Sequence, residues 1–326
     1  MTGTRAATAA RLRYVRGIVV LLVSVLLLIE IALHALLGNY GITRLYEYGP
    51  SDGRCVGLRH GTETDYTGWL FRISPVHLAV NEDGYRGPRR PPAKAADTYR
   101  ILLLGDSYAF GQAVNEPDTI SAQLEGILGY CGNRRVEVLN FGVPGLNMEE
   151  VLDQYRRFAS RWTHDLALYL AFKNDLDGPM CRAHRSYGIL DSRALQSLNQ
   201  HLYLTRFLYI VFMIGAAERE PSDPSARERL RVAQDGMVDQ ARRSGAKLGI
   251  VVLGDPLLKQ SGQAWHPVVP TLDVSYLVDS AHVVRGDFHL DGVGNRILAT
   301  EVASWVRANF CRGPISLREV MASETP

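Results

Sequence analysis

The sequence has few cysteines and no surplus of charge, and both shortages limit what the protein can do. It contains four cysteines in 326 residues, and no two are spaced as Cys-x-x-Cys, so a zinc site is not expected. Its 36 basic and 34 acidic residues give a formal net charge of +2, which provides no basic surface for nucleic acid. The sequence therefore predicts no metal, no cofactor and no nucleic-acid partner.

Long apolar runs are also rare, and only Ile18 to Leu37 is long enough to cross a membrane. A helix of about 20 residues spans a bilayer core about 30 Å thick. The residues from Met1 to Arg16 include four arginines and no acidic residue, which keeps this end in the cytoplasm. We expect a single-pass anchor with the rest of the chain in the periplasm or outside the cell.

A cleaved signal peptide is the alternative interpretation of this end, because Ile18–Ile29 would serve as its apolar region. No Ala-x-Ala cleavage site follows that region, which favours the uncleaved anchor. Glu30 and His34 interrupt the run one helical turn apart. Both lie in its outer half, so we expect them to pair with each other or to reach towards the interface.

Three short motifs each follow an apolar run that predicts a buried strand. Gly105-Asp106-Ser107-Tyr108 follows the first run, Asn140 to Gly145 follows the second, and Phe172-Lys173-Asn174-Asp175 follows the third. Carboxyl ends of parallel strands meet at one edge of the sheet, where such sheets bind their ligands. Asp287-Phe288-His289 comes later in the chain. A serine hydroxyl needs a base to remove its proton and a carboxylate to orient that base, so these motifs predict a serine-dependent acyl-transfer site.

These motifs resemble the four blocks of the SGNH (GDSL-type) hydrolase superfamily, which carry Ser, Gly, Asn and His in that order. The matching residues are Ser107, Gly145, Asn174 and, in the last block, Asp287 with His289. The resemblance implies that Ser107 is the nucleophile, that His289 is the general base and that Asp287 orients the imidazole. It also implies an oxyanion hole made of the backbone N–H groups of Ser107 and Gly145 and the side-chain amide of Asn174.

The resemblance extends from Thr98 to Phe310 and implies an α/β fold. We expect a doubly wound parallel sheet in a flavodoxin-like three-layer α/β/α arrangement, preceded by one transmembrane helix. Predicted helices alternate with the strands, as this class of fold requires. Four strands are predicted from Ile101, Val136, Leu166 and Lys247, and a fifth near residues 282–284.

The last block departs from the common pattern of the superfamily, Asp-x-x-His. Here it reads Asp-x-His, and Gly286 stands three residues before His289. The Asp-x-His spacing is similar to that of membrane-linked members of the superfamily, which act on cell-envelope polysaccharides. Asp279 and Asp291 stay open as alternative partners of the histidine.

The expected domain organisation has five parts: 1–17 a basic cytoplasmic tail, 18–37 the anchor, 38–97 a linker, 98–312 the hydrolase-like domain with a helical insertion at about 179–224, and 313–326 a flexible tail. Within the linker, the stretch Asn81 to Gly87 is interpreted as a structural turn. The insertion contains the apolar run Leu202 to Ile214, which is too short to span a membrane. It is interpreted as a helix packed on the domain, or else as a lid or a membrane-facing patch.

An even number of cysteines outside the cytoplasm suggests disulfides. In a flavodoxin-like order the first and last helices share one face of the sheet. Cys131 would follow the first of these helices and Cys311 the last, so we predict Cys131–Cys311. Cys55 and Cys181 would form the other pair, although four cysteines allow three pairings.

The sequence thus predicts an esterase that removes O-acyl groups from a cell-envelope glycan or similar ester through an acyl-Ser107 intermediate. One alternative keeps the same site and transfers the acyl group to a sugar hydroxyl, which would make the protein an O-acyltransferase. A second alternative is a non-catalytic glycan-binding or assembly factor, whose function would survive the loss of Ser107.

Overall fold

The computed structural model describes residues 2–38, 41–48, 56–68, 72–172, 175, 198, 202–205, 207, 208, 211, 226–254 and 266–311. Several predicted features therefore lie outside the described residues: Cys55, Asn174, Cys181, much of the insertion and the C-terminal tail. The helices and strands are α1 (Thr2–Leu36), β1 (Tyr46–Tyr48), β2 (Val56–Leu58), β3 (Thr62–Tyr66), β4 (Val76–Val80), β5 (Thr98–Gly105), α2 (Ser107–Phe110), α3 (Ile120–Leu128), β6 (Tyr130–Cys131), β7 (Arg134–Asn140), α4 (Met148–Arg161), β8 (Leu166–Ala171), α5 (Ala226–Arg243), β9 (Lys247–Val252), β10 (Thr271–Asp273) and α6 (Gly292–Phe310).

Six strands form the central sheet in the order β10-β9-β8-β5-β7-β6. All neighbouring pairs are parallel except β6 with β7. The predicted fifth strand is wrong. The strand beside β9 is β10, while Val283 forms only an isolated bridge with Leu290. Strand β10 has only three residues, and they are not all apolar. The sequence therefore gives little indication of a strand at 271–273.

Helices cover both faces of the sheet, and β5 shows how the sequence achieves this. Ile101 and Leu103 join a core with α3 and α6, whereas Leu102 and Leu104 join a core with α4 and α5. Successive side chains of a strand point to opposite faces, so a strand that is covered on both sides is apolar throughout. Every residue of β5 is buried. The fold is the expected doubly wound α/β/α arrangement.

The segment between α1 and β5 packs into the same core. It contributes the β1–β2 pair and the β3–β4 hairpin. Ile42, Tyr66 and Leu78 are fully buried in one cluster with Leu102 and Leu104 of the central sheet. These residues, which the sequence suggests are a linker, thus form part of the structure that surrounds the sheet.

A disulfide joins Cys131 in β6 to Cys311 at the end of α6. Helices α3 and α6 pack against each other on one face, as the flavodoxin-like order predicts. Their carboxyl ends therefore lie together, and the bond links two positions 180 residues apart in the chain.

Candidate active site

The turn after β5 presents Ser107 at the carboxyl edge of the sheet. A Cβ on Gly105 would lie 2.8 Å from the carbonyl oxygen of Leu170 in the neighbouring strand β8, so only glycine fits. The buried carboxylate of Asp106 then accepts a hydrogen bond of 2.9 Å from the N–H of Tyr108. This bond starts the short helix α2, which begins at the half-buried Ser107.

Arg86 holds carbonyl groups at the end of α2 and in the turn that follows it. Its guanidinium donates hydrogen bonds to the carbonyl oxygens of Phe110 (3.0 Å), Gly111 (2.6 Å) and Val114 (2.6 Å). Burial lowers the pKa of Arg86 to about 10, so the group is still charged at neutral pH. A charged donor forms stronger bonds than a neutral one, and its planar fork reaches several acceptors.

The turn Asn81 to Gly87 positions this arginine. The Asn81 side chain accepts from the N–H of Asp83 at 2.9 Å and donates to the carbonyl oxygen of Gly87 at 2.9 Å. The N–H of Arg86 bonds to the carbonyl oxygen of Asn140 at 3.1 Å. The turn is structural, as interpreted from the sequence, and it brings Arg86 beneath the nucleophile helix.

Asn140, the last residue of β7, ties the second motif to the first. Its side-chain nitrogen donates to the carbonyl oxygen of Ala109 at 2.8 Å, and its side-chain oxygen accepts from the N–H of Gly142 at 3.0 Å. A Cβ on Gly142 would collide with the backbone of Phe110. The glycine-rich loop therefore lies directly against α2.

The third part of the site is the pair Asp287 and His289. The Nδ1 atom of His289 lies 2.6 Å from Oδ1 of Asp287, whose side chain is fully buried. Because a carboxylate only accepts, the neutral imidazole carries its proton on Nδ1 and leaves Nε2 able to take another. Asp291 caps α6 by accepting from the N–H of Gly294 at 2.7 Å instead. The side chain of Asp279, the other alternative, lies outside what the structure describes.

The β3–β4 hairpin reaches the same carboxylate. The hydroxyl of Tyr66, at the end of β3, donates to Oδ2 of Asp287. The side-chain nitrogen of Gln112 in turn donates to the Tyr66 oxygen at 2.8 Å. Both carboxylate oxygens of Asp287 are thereby bonded, which fixes the orientation of the group that holds the imidazole.

Tyr108 connects the serine helix to the Asp287–His289 loop. Its ring centroid lies 5.0 Å from that of His289, and its hydroxyl donates to the carbonyl oxygen of Phe288 at 2.7 Å. Phe288 has a positive φ of 73°, which costs a non-glycine residue about 1–3 kcal/mol. The Tyr108 bond helps to hold this unfavourable conformation between the aspartate and the histidine.

Ser107 and His289 form no direct hydrogen bond in the part of the chain that the structure describes. Catalytic hydrogen bonds are often longer in a free enzyme and tighten when substrate binds. Tyr108, which follows Ser107 directly, contacts the His289 ring. The nucleophile helix and the histidine thus lie side by side.

Two of the three expected oxyanion donors are described. Gly145 is exposed in the loop before α4 and has a φ of 85°, a conformation that favours glycine. Among the described residues, no acceptor is found for the backbone N–H of Ser107 or of Gly145. Asn174 lies outside the described residues, so its part in the site stays a prediction.

Asp175, the residue after Asn174 in the chain, is anchored by polar contacts. Asp175 is buried and accepts hydrogen bonds from the hydroxyl of Tyr169 and, at 2.9 Å, from the N–H of Phe172. Helix α4, which follows the Gly145 loop, starts with a capping box of Asn147 and Glu150. Loops on both sides of the serine are therefore anchored by polar contacts.

A cavity of about 390 Å³ lies elsewhere in the domain. Its lining includes Arg86, Glu116 and Glu125, but neither Ser107 nor His289. The cavity therefore does not coincide with the candidate active site. The hydrogen bonds around Ser107, Asp287 and His289 locate the site instead.

Sequence reasoning missed three supporting residues: Tyr66, Gln112 and Arg86. Tyr66 and Gln112 belong to no motif that the sequence analysis recognised. Arg86 belonged to a recognised motif, but nothing in that motif indicates which carbonyl groups the side chain will meet. Their partners become evident only once the chain is folded.

In sequence, the chain matches no protein-family model and no curated protein. Solved structures to which it is similar include a lipase/acylhydrolase from Enterococcus faecalis, with 12% identity and a TM-score of 0.37 over 66% of this chain and 100% of that one. A psychrotrophic esterase from Pseudoalteromonas sp. has 8% identity and a TM-score of 0.40 over 64% and 97% of the two chains. An acetyl xylan esterase has 11% identity and a TM-score of 0.40 over 64% and 99%.

Ser107 and Gly145 follow the carboxyl ends of adjacent parallel strands, and Asp287 holds His289 beside them. In the order of its motifs and in the α/β/α fold that carries them, the chain resembles the SGNH (GDSL-type) hydrolases.

Proposed function

We propose that the protein is a serine esterase of the SGNH type that acts outside the cytoplasm on O-acyl groups. The observation that carries this proposal is the 2.6 Å contact of His289 Nδ1 with the buried Asp287 carboxylate, beside the helix that begins at Ser107. A buried carboxylate that fixes one imidazole nitrogen leaves the other as a base for a nearby hydroxyl.

In the proposed reaction, His289 Nε2 removes the proton of the Ser107 hydroxyl while the oxygen attacks the acyl carbonyl carbon. The negative charge that develops on the carbonyl oxygen is stabilised by the N–H groups of Ser107 and Gly145 and by the amide of Asn174. Each such donor is worth about 3–4 kcal/mol of barrier. The alcohol leaves with the proton from His289, and acyl-Ser107 remains.

The second half of the reaction uses the same groups. His289 removes a proton from water, the resulting oxygen attacks acyl-Ser107, and the carboxylic acid leaves as the serine regains its proton. If a sugar hydroxyl enters in place of water, the same site becomes an O-acyltransferase. The choice depends on which acceptor reaches the acyl-serine.

The proposed location is the periplasm or the cell exterior. Helix α1 includes Arg13–Leu36, which is long and apolar enough to cross a membrane, and the four arginines at 5, 11, 13 and 16 lie before this stretch or in its first four residues. The disulfide Cys131–Cys311 suits an oxidising compartment. Together with the resemblance of Asp287-x-His289 to envelope-acting members, this favours an acylated envelope glycan as the substrate.

The test is ester hydrolysis by the full chain in detergent, as wild type, Ser107→Ala and Ser160→Ala. Ser160 is an exposed serine on α4, away from the site, and serves as the matched control. We expect p-nitrophenyl acetate and an acetylated glycan to be hydrolysed by the wild type and by Ser160→Ala. Ser107→Ala should lose at least about 10³-fold in kcat.

Equal rates for wild type and Ser107→Ala would contradict the esterase proposal and leave the non-catalytic glycan-binding alternative. Serine-dependent transfer of acetyl to an added glycan, seen as a mass increase of the glycan, would instead identify an O-acyltransferase.

A further inference from the structure

A carboxylate within the membrane span binds the backbone of the insertion. Oε1 of Glu30 accepts a hydrogen bond of 2.6 Å from the N–H of Tyr203, and Oε2 accepts one of 2.8 Å from the N–H of Leu204. Residues 203–205, 207, 208 and 211 are helical. The first N–H groups of a helix lack partners within the helix and favour a negative charge. Glu30 therefore caps the start of this helical segment. We call residues 202–205, 207, 208 and 211 the capped segment.

A ring contact supports the same docking. The ring centroids of His34 and Tyr203 lie 4.6 Å apart in an edge-on arrangement. Glu30 and His34 are one helical turn apart on α1, so both face the insertion. The sequence predicts that these two residues pair with each other or reach towards the interface, whereas the structure places both against residues 203 and 204.

The position of Glu30 along α1 fixes the depth of the capped segment. Glu30 lies six residues before Leu36, the last residue of α1. At 1.5 Å per residue this is about 9 Å along the helix axis. A charged side chain at the centre of a membrane helix costs about 2.5–3.5 kcal/mol, and charged residues within membrane spans are therefore found with partners. The two N–H groups are such partners, and they bring the start of the segment to that depth.

The capped segment exposes apolar side chains. The exposed fractions are 41% for Leu202, 58% for Leu208 and 50% for Val211, similar to the 65% of Leu28 within the span itself. A protein surface in water rarely presents such a patch without a partner. The segment is docked on α1 through Tyr203 and Leu204, and these side chains lie close in the chain to those two contacts with the outer end of the span.

We propose that the capped segment, residues 202–205, 207, 208 and 211, is a second membrane-contacting element whose apolar side chains lie in the lipid of the outer leaflet beside α1. Interfacial helices bury their apolar face about 5–10 Å below the headgroups, which matches the depth that Glu30 sets. The proposal rests on the membrane location proposed above, and not on the ester chemistry.

The β3–β4 hairpin links the active site to α1 and so to the membrane. Arg72, in the loop that joins β3 to β4, donates its N–H to the carbonyl oxygen of Leu36 at 3.1 Å and its guanidinium to that of His34 at 3.2 Å. The same hairpin carries Tyr66, which bonds to Asp287. With the capped segment as a second contact, the catalytic domain meets the bilayer at two places, and its orientation towards the membrane surface is fixed.

The test is photo-crosslinking to lipid in the full chain, reconstituted in nanodiscs of phosphatidylethanolamine and phosphatidylglycerol. Benzoylphenylalanine replaces Leu208, with Leu28 as the positive control within the span. Val232 is the matched negative control, since it is 55% exposed on α5. We expect lipid adducts, measured by mass spectrometry, at Leu208 in a yield close to that at Leu28 and several-fold above Val232.

A Leu208 yield no higher than that of Val232 would overturn the proposal, as would crosslinks from Leu208 only to a second copy of the chain. Absence of adducts at Leu28 as well would overturn both this proposal and the membrane span. Lipid adducts do not depend on catalysis, so an inactive Ser107→Ala chain should give the same pattern. Failure of the esterase proposal is thereby distinguished from failure of this one.

A second variant tests the role of Glu30. Glu30→Leu makes α1 more apolar, so the adduct at Leu28 should persist. It removes both acceptors of the Tyr203 and Leu204 N–H groups, so the adduct at Leu208 should fall several-fold. An undiminished adduct at Leu208 would show that Glu30 does not hold the segment in the membrane.

Discussion

The hydroxyl of Tyr66 donates a hydrogen bond to Oδ2 of Asp287, although 221 residues separate the two in the chain. The other oxygen of this carboxylate holds Nδ1 of His289. Among the described residues, the hydrogen bonds of Tyr66 join it to Asp287 and Gln112, and neither His289 nor Ser107 is one of its hydrogen-bond partners, so we treat it as a positioning residue that acts through Asp287. The hairpin before the hydrolase-like domain therefore contributes to the candidate active site.

Tyr66→Phe should lower kcat about tenfold, equivalent to about 1.4 kcal/mol of barrier. Loss of the donor lets the Asp287 carboxylate rotate and weakens its hold on the imidazole. The KM should stay within about twofold, because Tyr66 only orients another residue and removes no uniform binding of substrate. Steady-state hydrolysis of p-nitrophenyl acetate by the full chain measures both parameters.

Tyr99→Phe is the control for this substitution. Tyr99 is also buried, and its hydroxyl has no hydrogen-bond partner in the described part of the chain. Its loss should leave kcat unchanged. Similar kcat values for Tyr66→Phe and wild type would show that the Tyr66 bond does not support catalysis.

Arg86→Lys should destabilise the fold by about 2–3 kcal/mol, because a lysine cannot reproduce the fork that serves three buried carbonyl groups. Thermal unfolding of the full chain in detergent measures the loss. Arg89→Lys is the matched control: Arg89 pairs with Asp83 but its side chain is 62% exposed, and exposed ion pairs contribute little to stability. Equal melting temperatures for the two variants would contradict the role given to Arg86.

Gly145→Ala should reduce kcat by about 10²-fold or more if the Gly145 N–H stabilises the oxyanion. The φ of 85° is unfavourable for alanine, so the loop should shift and move the N–H. Gly132→Ala provides the control, since Gly132 has a φ of 61° in a turn away from the site and its Cβ would meet only the Cys311 carbonyl oxygen at 3.8 Å. If both variants keep the wild-type kcat, the oxyanion role of Gly145 is wrong.

Cys311→Ser should lower the free energy of unfolding by about 2–5 kcal/mol, because the bond closes a long loop in the unfolded chain. The double variant Cys131→Ser/Cys311→Ser should lose no more than the single one, since both remove the same bond. Denaturant unfolding measures each value. Additive losses in the double variant would mean that the two cysteines are not paired.

The parts of the fold that could be predicted from sequence are those in which the signal is local. The central strand β5 is buried on both faces, so its run of leucines and isoleucine is recognisable without any partner. Asn147 and Glu150 form a capping box within four residues, and the structure contains it. Both features depend only on neighbours in the chain.

The parts that could not be predicted depend on contacts distant in sequence. No feature of the sequence near Tyr66 indicates that its hydroxyl will bond to Asp287. Likewise, nothing in the sequence around Glu30 indicates that its carboxylate will accept hydrogen bonds from the N–H groups of Tyr203 and Leu204. The edge strand β10 escaped prediction for another reason. It has three residues and an exposed–intermediate–exposed pattern, so its strand conformation comes from pairing with β9 rather than from its own residues.

The most direct test of the central claim, that Ser107 is a nucleophile activated by His289, is covalent trapping of the full chain with a fluorophosphonate. The reagent forms a phosphorus–oxygen bond with an activated serine and releases fluoride. We expect one adduct per chain, located on Ser107 by peptide mass spectrometry. The adduct should be absent in Ser107→Ala and should form far more slowly in His289→Gln, while Ser160→Ala should react like the wild type. No adduct in the wild type, or an adduct on another residue that persists in Ser107→Ala, would contradict the account.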